Sequence, residues 1–394
     1  MMSNADVRIE EGKALICLKG HIDSTNAKTV EDAIFGELEG RSVGSVTVDC
    51  TDLSYISSAG LRMVLKLKKQ FSDLSLTELS PEVYDIFDMT GFTEMMDVRK
   101  RFRTLSVEGC EIIGSGVNGD VYRIDAETIV KIYKNDDALS DIENERSMAR
   151  KAFVKGIPTA IPYDTVKVGK YYGSVFELLD AGSLAKILAA DNSKLEWVTD
   201  LYTDLLKKIH STEFAKGELP QIKYRVIDQA ENLASYLPAE TNEKIASMLR
   251  EIPEDLHMVH GDYHLKNVLM QGGEAILIDM DTISCGNPIF DFAYMYNTCI
   301  GYGALMPGNT MEFLGIPQDV CTALFRGCLQ RYFPGMTDNS YEDICSKASV
   351  IGHIRILRRF VRSTFTDEKE KERLISECIE KIVEGVRKVD RLYI

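Results

Sequence analysis

Over the first hundred residues, short runs of alternating polar and apolar positions exchange with stretches whose apolar residues recur every three or four positions. VRIEE and ALICLKG flank a turn-like EGK and predict a hairpin. DSTNAKTVEDAIFGEL has helical spacing, with Asp23, Ser24 or Thr25 available to cap its start. SVGSVTVDC is β-rich, and SSAGLRMVLKLKKQF is a second amphipathic helix. PEVYDIFDMTGF is a third, with Pro81 in the first turn, where a missing N–H costs nothing. This alternation predicts a small sheet with helices packed on it.

The pattern then changes. KRFR (Lys100 to Arg103) is a short basic hinge and the best boundary, which predicts domains over 1–103 and 104–394. EGCEIIGSGVNGDVYRIDAETIVKIYK is strand-rich. After about Ala185 the chain becomes helical and charged, interrupted by one turn- and strand-rich stretch from Val259 to Asp291. A β-rich lobe (about 104–180) followed by a mainly helical lobe (about 181–394) is the bilobal pattern of kinases.

Composition adds exclusions. At 394 residues the chain exceeds one typical core. Its 45% hydrophobic and 27% charged residues are ordinary for a folded protein and argue against disorder. A net charge of −15 argues against binding nucleic acid or an anionic membrane, since both need a basic footprint. The opening MMSNADVRIEEG has neither the basic nor the apolar region of a secretory signal, and no apolar run approaches the roughly 18 residues of a membrane span. The nine cysteines are scattered singly, without a CxxC pair or metal-ligand spacing. Buried free thiols in a cytoplasmic protein are the expectation.

Four motifs carry chemistry. Gly114-Ser115-Gly116-Val117-Asn118-Gly119 is a GxGxxG, a weak signal alone, but it stands between strands. In a dinucleotide-binding fold its last glycine would open a helix. Within a hairpin, a glycine loop lays backbone N–H groups over a triphosphate, the kinase arrangement. Lys131 lies in the apolar strand TIVKIY, where a solvated charge is poorly placed, and suits a point charge on the α- and β-phosphates. Its anionic tether is Glu143 or Glu145 of the helix that follows. In VHGDYHLKNVL, Asp262 and Asn267 stand five apart: Asp262 to orient the substrate hydroxyl, Asn267 to bind magnesium. Twelve residues beyond Asn267, AILID ends in Asp279, a hard oxygen donor and second magnesium ligand.

These residues resemble the aminoglycoside phosphotransferase and choline kinase group, small-molecule kinases on a protein-kinase-like fold. The resemblance runs from about Val107 to Ile394 and rests on GSGVNGDVY, VKIYK, GIPTAIP, FELLDAGSL, KIHS, HGDYHLKN and LIDMD…GNPIFDFA. It implies ATP and Mg2+ as cofactors and selects Glu145 as the partner of Lys131. It further implies that the backbone of Glu177 and Leu179 holds adenine and that Asp291 supports the catalytic loop. Asp281 and His264 stay unassigned. The first hundred residues resemble a STAS domain, the fold of anti-sigma-factor antagonists, through DLSYISSAGL, GHID and DMTGFTEMMDV. That resemblance implies a protein partner and a phosphorylated serine at Ser58, with Ser57 standing where many such regulators carry aspartate. Helix capping is the competing role for Ser58. The fold class expected is therefore α/β multidomain, a small STAS α/β sandwich followed by a bilobal protein-kinase-like domain.

Three functions fit. The first is an O-phosphotransferase acting on a small hydroxyl-bearing molecule and regulated through the STAS domain. The second is a protein Ser/Thr kinase acting on STAS domains, Ser58 included. The third is a nucleotide-binding pseudokinase serving as an interaction module. Only eleven residues separate Asp279 from Asp291, too few for a peptide-docking activation segment, which disfavours the second. Lys131, Asp262, Asn267 and Asp279 are all present, which disfavours the third. Residues 1–103 carry 13 Lys+Arg against 17 Asp+Glu, and the remainder 33 against 44. An acidic catalytic domain fits a cationic acceptor of the amino-sugar, aminoglycoside or amino-alcohol class, and it fits a sugar or a nucleoside nearly as well.

Overall fold

The computed structural model describes residues 4–116, 119–135, 138–179 and 182–394. Val117 and Asn118 of the glycine motif, and Asp180 and Ala181 of FELLDAGSL, lie outside the described residues. The chain forms two compact units, 1–106 with 165–170, and 107–164 with 171–394.

The first unit holds a five-stranded sheet in sequential order: β1 (Ala5–Glu10), β2 (Lys13–Ile22), β3 (Ser45–Ile56), β4 (Leu74–Leu79) and β5 (Asp97–Lys100). β1 and β2 form the antiparallel hairpin, and the later pairs are parallel, each crossover made by helix. Those helices are α1 (Ala27–Leu38), α2 (Ser58–Gln70), α3 (Pro81–Met89) and the single turn α4 (Phe92–Met95). Ile16, Leu18, Val46, Val48 and Leu76 alternate inward and pack with Val30, Ile34, Val64, Leu67 and Phe87 of the helices. Asn26 is the residue before α1 and makes no side-chain cap. Asp23, Ser24 and Thr25 fall one turn too early; the Asp23 carboxylate instead accepts from the backbone and hydroxyl of Thr25.

The boundary of the first unit falls at Ser106, three residues beyond KRFR. A short strand, β6 (Arg103–Thr104), accounts for it: Arg103 and Thr104 pair in parallel with Val166 and Lys167, and Leu105 N–H donates to Lys167 O at 2.9 Å. Sequence proximity places 165–170 in the catalytic lobe, whereas this long-range pairing groups it with the first unit.

In the second unit, β7 (Glu111–Gly116), β8 (Gly119–Arg123) and β9 (Thr128–Tyr133) form an antiparallel meander. Helix α5 (Ala138–Val154) follows, and β11 (Tyr171–Glu177) lies antiparallel to β9; β10 (Asp164–Val168), between them in sequence, belongs from Thr165 onward to the first unit. Beyond these the unit is mainly helical, with long elements over Leu195–His210, Gln318–Tyr332, Asp338–Arg362 and Glu368–Lys388. Two small antiparallel pairs, Met258–Val259 with Ser284–Cys285 and Val268–Gln271 with Glu274–Leu277, stand among the helices. The helical core holds the loop between them: the Tyr263 and Tyr202 rings stack with centroids 4.4 Å apart, and Tyr263 Oη donates to Tyr202 O at 2.7 Å. All nine cysteines are free thiols.

Candidate active site

The glycine motif spans β7 and β8, with Gly114 opposite Val121, Ser115 opposite Asp120 and Gly116 opposite Gly119. Ser115 Oγ donates to Asp120 Oδ1 at 2.8 Å, and Lys134 pairs with the other oxygen of Asp120. The three glycines differ in what they require. A Cβ on Gly114 or Gly116 would meet only ordinary contacts, but one on Gly119 (φ +153°) would stand 1.7 Å from Ile132 O. Gly119 is therefore what lets β8 lie against the lysine strand.

Lys131 projects from β9 into a cluster of carboxylates. Its Nζ donates to Glu145 Oε1 and Oε2 at 3.1 and 3.0 Å and to Asp279 Oδ1 at 2.9 Å. Burial works against the ammonium, yet the charges of Glu145 and Asp279 outweigh it and raise the lysine's pKa. Glu145 is 4% exposed; its carboxylate also accepts from Tyr133 Oη, which sequence reasoning missed. Glu143, the other candidate, is exposed on the same helix.

The Val259–Leu269 segment is a tight loop carried by backbone bonds. Asp291 is fully buried and accepts from the N–H groups of His260 (2.8 Å) and Gly261 (2.7 Å) and from the His210 ring (3.0 Å). His210 lies in KIHS, quoted for its resemblance but given no role; it adds a third bond to Asp291. Gly261 has φ +77°, and a Cβ there would meet Arg225 Nη2 at 2.5 Å and Thr282 O at 2.7 Å. Glycine is required at this turn.

Asp262 follows, with His260 Nδ1 accepting its N–H at 3.2 Å. Its Oδ1 receives Arg355 Nη2 at 2.8 Å, and His264 Nε2 stands 3.8 Å from Oδ2. Burial would raise the Asp262 pKa, but Arg355 and the two histidines overcome it and hold the carboxyl below its ordinary value. Burial lowers the pKa of His264 against the pull of Asp262. Asn267 is buried, and its Nδ2 donates to Asp262 O at 3.0 Å, which leaves its amide oxygen as a ligand atom.

Asp279 ends the Glu274–Leu277 strand in left-handed backbone, φ +63° and ψ +64°, uncommon for aspartate and found where a site imposes it. Two residues on, burial and then the charges of Asp279 and Glu145 push the Asp281 pKa up to about 7. Glu177 closes β11 opposite Thr128, and Leu178 N–H donates to Glu127 O at 2.7 Å; Leu179 follows, half-buried. The structure thus brings Lys131, Glu145 and Asp279 together, and joins Asp262 to Asn267 and Arg355. A cavity of about 330 Å³ lies beside the carboxylates, lined by Tyr133, Asn144, Glu145 and Asp281 among others. A larger one, about 690 Å³ near Glu127 and Gln271, is lined by none of Lys131, Asp262, Asn267 or Asp279.

In the first unit, Ser57 and not Ser58 caps α2: its Oγ accepts from Ala59 N–H at 3.2 Å. Ser58 is the first helical residue, exposed, and its hydroxyl bonds no described residue.

A β-rich sheet with a glycine hairpin and a buried lysine–glutamate pair, followed by a helical part carrying the Asp262 loop and Asp279, defines a kinase-like phosphotransferase fold. Residues 109–315, just over half of the chain, match the model of the phosphotransferase enzyme family, and the chain belongs to that family. Residues 4–106 match the STAS domain. That part is 36% identical over 92 residues to the Bordetella bronchiseptica protein named "Putative anti-sigma factor antagonist BtrV", covering 22% of this chain and 78% of that protein. It is 28% identical over 102 residues to the anti-sigma-B factor antagonist of Bacillus subtilis, covering 25% of this chain and 92% of that one. Among solved structures, an ADP-bound aminoglycoside phosphotransferase APH(2'')-Ib aligns over 77% of this chain and 98% of its own, at 14% identity and a TM-score of 0.49. Among the described residues, no helix is long and apolar enough to cross a membrane.

Proposed function

We propose that the protein transfers the γ-phosphoryl group of ATP to a hydroxyl of a small molecule, and that its STAS domain couples this activity to a protein partner. The observation that carries the reading is the position of Lys131, held between Glu145 and Asp279, residues far apart in sequence. A buried lysine between two carboxylates is set to accept the α- and β-phosphates of a nucleotide. Asp262, kept ionised by Arg355, accepts the hydrogen bond of the acceptor hydroxyl and orients it for in-line attack. The glycine hairpin covers the phosphates, and the Glu177–Leu179 backbone holds the base.

The donor set suits magnesium. Asp279 and the Asn267 amide offer hard oxygens, and the crowding of Asp279, Asp281 and Glu145 leaves negative charge for a divalent cation to neutralise. Among the described residues, no three His, Cys, Asp or Glu side chains form a ready-made metal cage. That is in keeping with a cation which takes part of its coordination from nucleotide phosphates. When bound, magnesium supplies neutralisation of charge on the transferring phosphoryl oxygens.

For regulation, Ser58 is the proposed phosphoacceptor. It is exposed at a helix start, where free N–H groups and the helix dipole favour an anion. The reaction is tested by Asp262→Ala. ATP binding should stay within about twofold by calorimetry, while ADP release with an acceptor falls by roughly three orders of magnitude or more. An equal loss of ATP affinity and rate would remove Asp262 from the acceptor side.

A further inference from the structure

The helix Asp338–Arg362 carries an unusual stripe. Arg355, Arg358, Arg359 and Arg362 follow the spacing i, i+3, i+4, i+7 and so share one helix face. Like charges at those separations repel, and a helix keeps such a stripe only against compensation. Arg355 has it: besides Asp262 Oδ1 at 2.8 Å, it donates to Gly261 O at 3.2 Å, and its guanidinium lies 4.2 Å from the Tyr294 ring centroid. The other three have no such ion pair. Among the described residues, Arg358, Arg359 and Arg362 have no carboxylate within 4.0 Å.

The stripe is anchored at the acceptor end of the site. Arg355 touches the carboxylate assigned to the acceptor hydroxyl. Arg359 lies 5.4 Å from the centroid of the Tyr302 ring, and Tyr302 is near enough to feel the charges of Arg355, Arg359 and Asp262 together. Burial, then Arg362 and Arg355, lower the pKa of Arg358; Asp228 opposes this from beyond ion-pair distance. Positive charge is crowded here with no ion pair, among the described residues, beyond that of Arg355.

We propose that the acceptor is a hydroxyl compound already bearing an anionic group, phosphate or carboxylate, held by Arg359 and Arg358 while Asp262 orients the hydroxyl. Guanidinium groups bind both anions through paired N–H donors. The inference rests on the proposed phosphotransfer and narrows its acceptor. The acceptor oxygen bonds to the γ-phosphorus of ATP as the bond from that phosphorus to the β,γ-bridging oxygen breaks. ADP leaves, and the hydroxyl proton passes by way of Asp262 to solvent. A polycationic aminoglycoside meets like charge at this helix face, so the domain's net acidity is a poor guide to the local site.

Two measurements on the full chain separate the inference from its foundation. The first is calorimetric binding of inorganic phosphate to the ADP-loaded protein. Arg359→Gln should weaken it by roughly tenfold or more, while Arg41→Gln, an exposed arginine of the amino-terminal unit, leaves it within about twofold. No binding to the wild type, or equal binding to Arg359→Gln and wild type, overturns the anion subsite whether or not phosphate is transferred. The second is ADP release with glucose 6-phosphate and glycerol 3-phosphate, with gluconate and glycerate, and with glucose, choline and kanamycin. Turnover of the first or second set, with a KM raised by roughly tenfold in Arg359→Gln and kcat within about threefold, supports the proposal and identifies the anion. Preferred turnover of kanamycin, choline or glucose, untouched by Arg359→Gln, overturns it. ADP release with no acceptor would instead count against the phosphotransfer reading, and the phosphate titration would still judge the subsite.

Discussion

The two domains hold their candidate reactive groups in opposite ways. In the amino-terminal domain, Ser58 stands exposed on the first turn of α2, and the neighbouring Ser57 does the structural work of capping. In the catalytic domain every reactive group is tied down: Lys131 by two carboxylates, Asp262 by Arg355, the loop backbone by Asp291. The contrast matches what each group is proposed to do. A side chain that receives a modification from another protein must be reachable. A group that stabilises a transferring phosphoryl must be in place before the charge develops, because reorganisation during the reaction costs rate. Exposed regulation and buried catalysis therefore carry different mutational signatures, and three experiments can break or sharpen that contrast.

The largest effect is expected at Asp279. Asp279→Ala removes a partner of Lys131 and the proposed metal oxygen together, so turnover should fall by at least roughly a thousandfold, about 4 kcal/mol. The magnesium-dependent part of the thermal shift given by ATP should disappear with it. A full magnesium-dependent shift in the variant would show that the metal is held elsewhere.

Next comes acid stability. His353 is 1% exposed on the Asp338–Arg362 helix; its Nδ1 meets Ser349 O at 2.7 Å, and its Nε2 has no hydrogen-bond partner. Burial lowers its pKa to about 4. The unfolded chain therefore binds the proton first. The stability is fully present above the unfolded value near 6.5 and is lost as pH falls through the folded value, up to about 3 kcal/mol. The amino-terminal domain has only His21, which is exposed. Trp197 is the single tryptophan and reports the catalytic domain alone. Denaturation followed by its fluorescence should weaken between pH 7 and pH 4.5 and weaken less in His353→Leu. The same slope in both proteins would assign the acid sensitivity to other groups.

The smallest effect should separate the two serines. Ser57→Ala should cost the amino-terminal domain about 1 kcal/mol through the lost cap, while Ser58→Ala stays within about 0.5 kcal/mol. Ser58→Asp should leave melting nearly unchanged yet shift turnover or partner binding by roughly tenfold. Wild-type behaviour of Ser58→Asp in both assays would leave the STAS domain acting through some other surface.

Much was legible in the chain because local rules wrote it. The β-hairpin, the alternation of strand and helix and the three amphipathic helices of the first domain follow from periodicity and turn residues; the parallel pairing came from the structure. HGDYHLKN and AILID could be recognised because a loop that holds oxygens between apolar strands needs those residue types close together in sequence. Among the glycines, Gly119 and Gly261 were readable as motif letters. Only the approach of the Ile132 carbonyl, and of the Arg225 guanidinium with the Thr282 carbonyl, shows why a side chain is excluded there.

What the tertiary structure decided is the set of partners brought in from a distance. Helical spacing offers both Glu143 and Glu145, and only the packing of α5 decides which carboxylate meets Lys131. The cap passed from Ser58 to Ser57 because the chain leaves β3 in extended backbone at Ser57, a geometry composition does not encode. Arg355 lies 93 residues beyond Asp262 in a run of arginines that reads as an ordinary solvated helix face. Charge along a sequence is a scalar, but the field at a carboxylate depends on direction and distance. That dependence is how an acidic domain comes to set Arg355 against Asp262.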